Sequence, residues 1–170
     1  MRILVVFESM FGCTERVARA VADGLGGAEV VNVDDAPGDL TGVGLLVVGG
    51  PTHVHGLSRA STRQSAVQQA NEEVHSKTGV REWLDSLGSV PEGLPAASFD
   101  TRLDKPRWLT GSAATGETKR LKRHGCKMVL SAESFFVEGA ASDTALAGGE
   151  LERAHAWGEA LGAAVRRTVA

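Results

Sequence analysis

The stretch ILVVFESMFGCTERVARAVADGL, residues 3–25, places two periodicities back to back. Ile3 to Phe7 form a continuous apolar run rich in β-branched residues, the pattern of a strand covered on both faces. Beyond it Val17, Ala20, Val21 and Leu25 recur at steps of three and four, which predicts a helix over 12–25. Between the two lies ESMFGCTE, a turn with hydroxyls at Ser9 and Thr14, a glycine at 12 and no lysine. A helix that starts there points unpaired N–H groups and a partial positive charge outward, where a phosphate fits. The pattern G-x-x-x-x-G-K-[ST] is absent, which argues against a triphosphate with magnesium, and G-x-G-x-x-G is absent as well. Two readings of the turn stand side by side. Neutral donors hold a single phosphomonoester, or Ser9 and Thr14 merely cap the helix.

Four further runs read as buried strands: AEVVNV (28–33), GLLVVGG (44–50), PAASFDT (95–101) and KMVLSAESFF (127–136). Helices are predicted between and after them. Residues 78–88 align Val80, Trp83, Leu84 and Leu87, with Gly88 as a stop. Residues 112–125 run from Ser112 as N-cap to Gly125 at the C′ position. Residues 149–168 align Leu151, Ala154, Gly158, Leu161 and Val165. The segment 57–77 is polar and weakly patterned, and reads as a helix running into an exposed loop. Strands alternating with helices imply right-handed crossovers, hence an α/β, three-layer, doubly wound sheet of five parallel strands. At 170 residues the chain has the size of a single domain.

Composition narrows the function. A net charge of −3 without a basic surplus argues against nucleic acid, and no apolar run reaches membrane-spanning length. MRILVVFES is too short an apolar stretch for a signal peptide. Cys13 and Cys126 stand far apart and form no metal-type pair, which fits a reducing cytoplasm.

SMFGCT (9–14) resembles the phosphate loop of the flavodoxins, T/S-x-T-G-x-T, with Ser9, Gly12 and Thr14 matching and Phe11 standing where a hydroxyl is usual. GGPTHVHG (49–56) looks like the family's second flavin loop, and SFDTR (98–102) falls at its third. GGELERAHAWGEALG resembles the last helix. The likeness implies a flavodoxin-like sheet of order 2-1-3-4-5 with FMN at the switch point between strands 1 and 3. It implies a phosphate on Ser9, Met10, Phe11, Gly12, Cys13 and Thr14. Pro51, Thr52, His53, Val54 and Gly56 would border one side of the flavin ring, and Asp100, Thr101 and Arg102 the other. A backbone N–H would replace the donor lost at Phe11.

The chain has no tyrosine to stack on a flavin. His53 and His55 occupy the second loop instead, as ring neighbours or as polar loop residues. Trp108, in DKPRWLTGS, either folds over the ring or anchors the loop to the core. Asp100 borders the ring or caps a turn, and Arg102 contacts the flavin or a partner, or pairs with Asp104. Cys13, at a helix start, is open to a lowered thiol pKa, while Cys126, Trp83 and Trp157 read as core. KRLKRH (119–124) complements a helix C-terminus or attracts an acidic redox partner. Arg59 and Arg63 are candidates for a nicotinamide phosphate. Three functions follow: an FMN-binding electron-transfer protein without catalytic residues of its own, serving a redox partner protein or a small electron acceptor; an FMN-dependent NAD(P)H oxidoreductase acting on quinones or similar acceptors; or a scaffold of the same fold that does not bind FMN. Gly49 and Gly50 at the third strand's end, where a receiver's phosphoacceptor should lie, argue against a receiver.

Overall fold

The computed structural model describes residues 1–53, 56–70, 74–140 and 143–169. A mostly parallel sheet is built from β1 (Arg2–Phe7), β2 (Glu29–Asn32), β3 (Val43–His53), β5 (Pro95–Leu103) and β7 (Glu133–Glu138). Their spatial order is β2-β1-β3-β5-β7, the order 2-1-3-4-5 expected of the five predicted strands. Short strands complete it: β4 (Gly56–Leu57) pairs antiparallel with β3, β6 (Lys127–Met128) pairs with the start of β5, and β8 (Ala145–Leu146) edges β7 antiparallel.

Strand alternation divides the core into two layers. Leu4, Val6, Leu46, Val48 and Ala96 face one side, where α3 (Val80–Ser86) and α5 (Ala113–Arg123) supply Val80, Trp83, Leu84 and Leu121. Val5, Phe7, Leu45, Val47, Ala97 and Phe99 face the other, against Val17 and Val21 of α1 (Cys13–Gly24) and Trp157, Leu161 and Val165 of α6 (Glu150–Val169). Each such side chain contributes roughly 1.5–3 kcal/mol by leaving water, so the continuous apolar runs are what hold helices to both faces. Trp83, Trp157 and Cys126 are core residues as expected.

Several expectations are corrected. The run 127–136 is two strands, because six chain steps from Lys127 to Glu133 oppose only four of β5, from Pro95 to Phe99. The surplus residues leave the ladder between β6 and β7. The second flavin loop is largely strand: β3 continues through Pro51, in register with Thr101, and turns back through β4. Likewise 98–102 lies inside β5, so the third loop begins after Leu103. Ser112 occupies the N-cap of α5 without capping it; its hydroxyl donates to Asp100 Oδ2 at 2.5 Å. The other end is as predicted: Gly125 has φ 82°, and the N–H groups of Gly125 and Cys126 return to the carbonyls of Lys122 and Leu121.

The segment 57–77 holds α2 (Ala60–Ala70) and then, at 74–79, packs back on the β1–α1 loop, with Ser76 fully buried rather than exposed. α4 (Arg107–Thr110) carries Trp108, which is 83% exposed and anchors nothing to the core. Among the described residues no helix is long and apolar enough to cross a membrane.

Candidate functional site

A cavity of about 410 Å³ opens beyond the carboxyl ends of β1, β3 and β5, where ligands of open parallel sheets bind. Ser9, Met10, Phe11, Cys13 and Thr14 line one end. Pro51, Thr52 and His53 of β3 and Thr101, Arg102 and Leu103 of β5 line the other. Thr62, Ser65 and Ala66 of α2 add a side wall, and Val137, Gly139, Ala140 and Thr144 complete it.

The β1–α1 loop is shaped by Gly12, whose φ of 100° is left-handed and open to glycine at little cost. No side chain caps the helix it starts. Ser9 Oγ instead accepts the Gly12 N–H at 3.0 Å, and the Thr14 and Thr101 hydroxyls share a hydrogen bond of 2.8 Å across to β5. The capping alternative for Ser9 and Thr14 therefore gives way to a turn whose helix end stays open. Cys13 does not show the lowered thiol pKa that a helix start can give. Burial raises its pKa above the influence of Arg16, and Sγ donates to the Thr144 carbonyl at 3.4 Å.

At the far end, burial first and the Arg63 charge second push the His53 pKa down to about 4. Its ring is neutral at pH 7, with Nδ1 3.2 Å from Thr62 Oγ1. Arg102 is buried. Its guanidinium donates to Ser134 Oγ at 3.0 Å and the Lys105 carbonyl at 2.7 Å, and lies 5.1 Å from the Phe136 ring centre.

Asp100 does not line the cavity. It is fully buried below it, where Oδ2 accepts from Ser112 Oγ, from the Ala114 N–H at 3.1 Å and from Thr52 Oγ1 at 3.3 Å. Thr52 Oγ1 in turn accepts the Ala113 N–H at 3.0 Å. Asp100 thus caps α5 and fixes Thr52, a part of the cavity wall. Gly12 and Gly56 also stand outside the lining, and Val54 and His55 lie outside the described residues.

Sequence reasoning missed the wall supplied by α2, because Thr62, Ser65 and Ala66 have no motif and their helix shows little amphipathic pattern. It also missed a buried carboxylate group under the site. Glu8, at the end of β1, accepts from the Ser58 hydroxyl and from the Val80 N–H at 3.0 Å. Burial outweighs these bonds and raises its pKa. Glu117 of α5 is fully buried with neither oxygen hydrogen-bonded, and one oxygen of Asp100 shares that condition. Arg63 is 8% exposed, pairs with Glu82 at 2.9 Å and approaches Glu8 at 3.9 Å, so it is committed inside the fold. Arg120, Lys122 and Arg123 stand in the last turn of α5, Arg120 pairing with Asp85 at 2.9 Å.

With this geometry the fold is flavodoxin-like. No protein-family model matches the chain, and no curated protein does. Among solved structures, a flavodoxin from the domain Archaea superposes with a TM-score of 0.67 at 15% identity, covering 98% of this chain and 99% of that one. Oxidised flavodoxin 1 from Bacillus cereus gives 0.65 at 17% identity over the whole of both chains. A flavodoxin, WrbA-like protein from Agrobacterium tumefaciens gives 0.61 at 18% identity, covering 98% of each chain.

Proposed function

We propose that the chain binds FMN in this cavity and serves as an electron-transfer protein. The observation that carries the reading is the uncapped start of α1, opening into a cavity that reaches the ends of β3 and β5. The donor set suits a dianionic monoester. The hydroxyls of Ser9 and Thr14, the backbone N–H groups of Met10, Phe11, Cys13 and Thr14 and the end of the α1 dipole are complementary to it without a lysine, the Gly12 N–H being taken by Ser9 Oγ. Arg102, the one arginine or lysine lining the cavity among the described residues, has its Nε and Nη1 engaged by Ser134 and the Lys105 carbonyl.

In this reading Ser9, Met10, Phe11, Gly12, Cys13 and Thr14 hold the phosphate. Pro51, Thr52 and His53 flank the isoalloxazine on one side, and Thr101 and Arg102 on the other. Asp100 acts from below, by holding Thr52 and α5. Bound FMN would supply the redox chemistry. His53, neutral at pH 7, adds no charge beside the ring. Electrons would pass to a redox partner protein or a small acceptor. Arg63 is not free to meet a nicotinamide phosphate, which removes one support for an NAD(P)H oxidoreductase.

Titrating the purified chain with FMN tests the reading. A flavin spectrum shifted by binding, and a Tm that rises with FMN concentration as a native-state ligand requires, are the expected results. A chain whose Tm ignores a large excess of FMN is instead a scaffold. Within the site, Thr14→Ala removes a hydroxyl from the cradle and is expected to weaken FMN binding by roughly 1–3 kcal/mol. Equal affinity of the two proteins refutes that role for Thr14.

A further inference from the structure

The segment at 74–78 ties the β1–α1 loop down from outside. The Ser9 carbonyl accepts the Ser76 N–H at 2.9 Å, and the Met10 carbonyl accepts the His75 N–H at 3.1 Å. A trans peptide holds its C=O and N–H on opposite edges of one plane. The N–H groups sharing those two planes belong to Met10 and Phe11, and they face away from residues 75 and 76. Met10 and Phe11 line the cavity, whereas His75 and Ser76 do not, which fits a cavity on the side away from the strap.

The strap is itself anchored to the sheet. Ser76 is fully buried; its Oγ accepts the Ser9 N–H at 2.9 Å and donates to Asn32 Oδ1 at 3.0 Å. Asn32 ends β2 in register with Phe7 of β1, and its Nδ2 donates to the His75 carbonyl at 2.9 Å. The Asp34 carboxylate accepts the next two N–H groups, from Lys77 at 2.9 Å and Thr78 at 2.6 Å.

We propose that Ser76 and Asn32 are positioning residues of the phosphate cradle, holding the Ser9 and Met10 carbonyls turned outward so that the Met10 and Phe11 N–H groups face the phosphate. The inference rests on the FMN reading above and explains how the loop manages with Phe11 where a hydroxyl is usual. Neighbouring N–H groups turned to one side repel one another and attract anions. Without the strap such a loop would gain by flipping a peptide. With it, the arrangement exists before the ligand arrives, and binding is spared that reordering.

The test compares FMN with riboflavin, which lacks the phosphate, on the full chain. Ser76→Ala and Asn32→Ala are expected to weaken FMN about tenfold while leaving riboflavin within about twofold, since the strap bonds lost act on the phosphate end, and the Asp34 N–H that Asn32 Oδ1 also accepts lies away from the cavity lining. Ser76→Thr, which keeps the hydroxyl, is expected to restore FMN affinity. In the wild type, inorganic phosphate should shift the backbone N–H resonances of Met10 and Phe11, and in Ser76→Ala it should do so more weakly. Unchanged FMN affinity in both alanine variants, or equal loss for FMN and riboflavin, overturns the positioning role. A Ser76→Ala chain that does not fold leaves the decision to Asn32→Ala, at a half-buried position. A wild type that answers to neither FMN nor phosphate overturns the flavin reading itself, a result distinct from either.

Discussion

Gly158→Ala is expected to destabilise the protein by about 3 kcal/mol, because α1 and α6 cross there with their backbones in contact. A Cβ on Gly158 would collide with the Val21 carbonyl oxygen and stand 3.1 Å from the Gly24 Cα. The contact is reciprocal, since a Cβ on Gly24 would collide with the His155 carbonyl and stand 3.0 Å from the Glu159 nitrogen. Neither obstacle is a side chain that can rotate aside. The helices must move apart, which opens the layer formed by Val17, Val21, Trp157, Leu161 and Val165. Alanine's better helix propensity returns at most about 1 kcal/mol. At roughly 2–4 °C per kcal/mol for a chain of this size, Tm should fall by about 10 °C. Gly162→Ala is the control: its Cβ would stand 3.3 Å from the flexible end of Arg166, which can yield, so its Tm should change little. Equal losses from the two substitutions in thermal melts followed by circular dichroism would rule out the crossing as the cause. The effect reaches the cavity, since α1 begins at the β1–α1 loop that lines it.

The parts of this fold that were legible in the sequence are those where one periodicity dominates. The runs at 3–7, 28–33, 44–50 and 95–101 became β1, β2, β3 and β5 because apolar residues on both faces leave a strand no other way to be covered. The split of 127–136 was hidden, since Val129 and Leu130 continue the apolar pattern while the surplus of two residues is visible only against β5. The strap was hidden for a different reason. Ser76 and Asn32 are polar residues forty-four positions apart whose value lies in one hydrogen bond, and no local pattern announces it. Asp100 was placed at the ring by its position at a strand end, yet its face of β5 turns it toward α5. The alternation of side chains along a strand decides such matters, and the register that fixes it comes from pairing with β3.

Glu117→Gln should gain stability over the wild type as pH rises above about 4.5, because only the wild type must keep a buried carboxyl protonated. Glu117 is fully buried without a hydrogen bond to either oxygen. Burial above all, then the charges of Asp100 and Glu8, raise its pKa well above the ordinary 4.5. The folded chain therefore keeps this proton at a pH where the unfolded chain has released it. Protons bound in the native state but not in the unfolded one make stability decrease with pH. The contribution is fully present below about 4.5, declines from there upward, and is gone once pH passes the raised folded value. Across that window the slope for one group is about 1.4 kcal/mol per pH unit. Glutamine has nearly the same shape and cannot ionise, so its stability advantage over the wild type should widen with pH in urea melts across that window and level off beyond it. Parallel curves for the two proteins would mean that Glu117 is ionised in the folded state, against its burial. Glu8, whose raised pKa makes stability fall with pH, and His53, whose lowered pKa makes it rise between about 4 and 6.5, remain in the variant and set its residual slope with opposite signs. The same proton bears on the cavity. An ionised Glu117 would repel Asp100, which holds Thr52 and the first turn of α5. A Cβ on Gly50, one residue before Pro51 of the cavity wall, would stand only 3.0 Å from Glu117 Oε1. A neutral Glu117 thus lets three acidic side chains share one buried face of the sheet beneath the cavity.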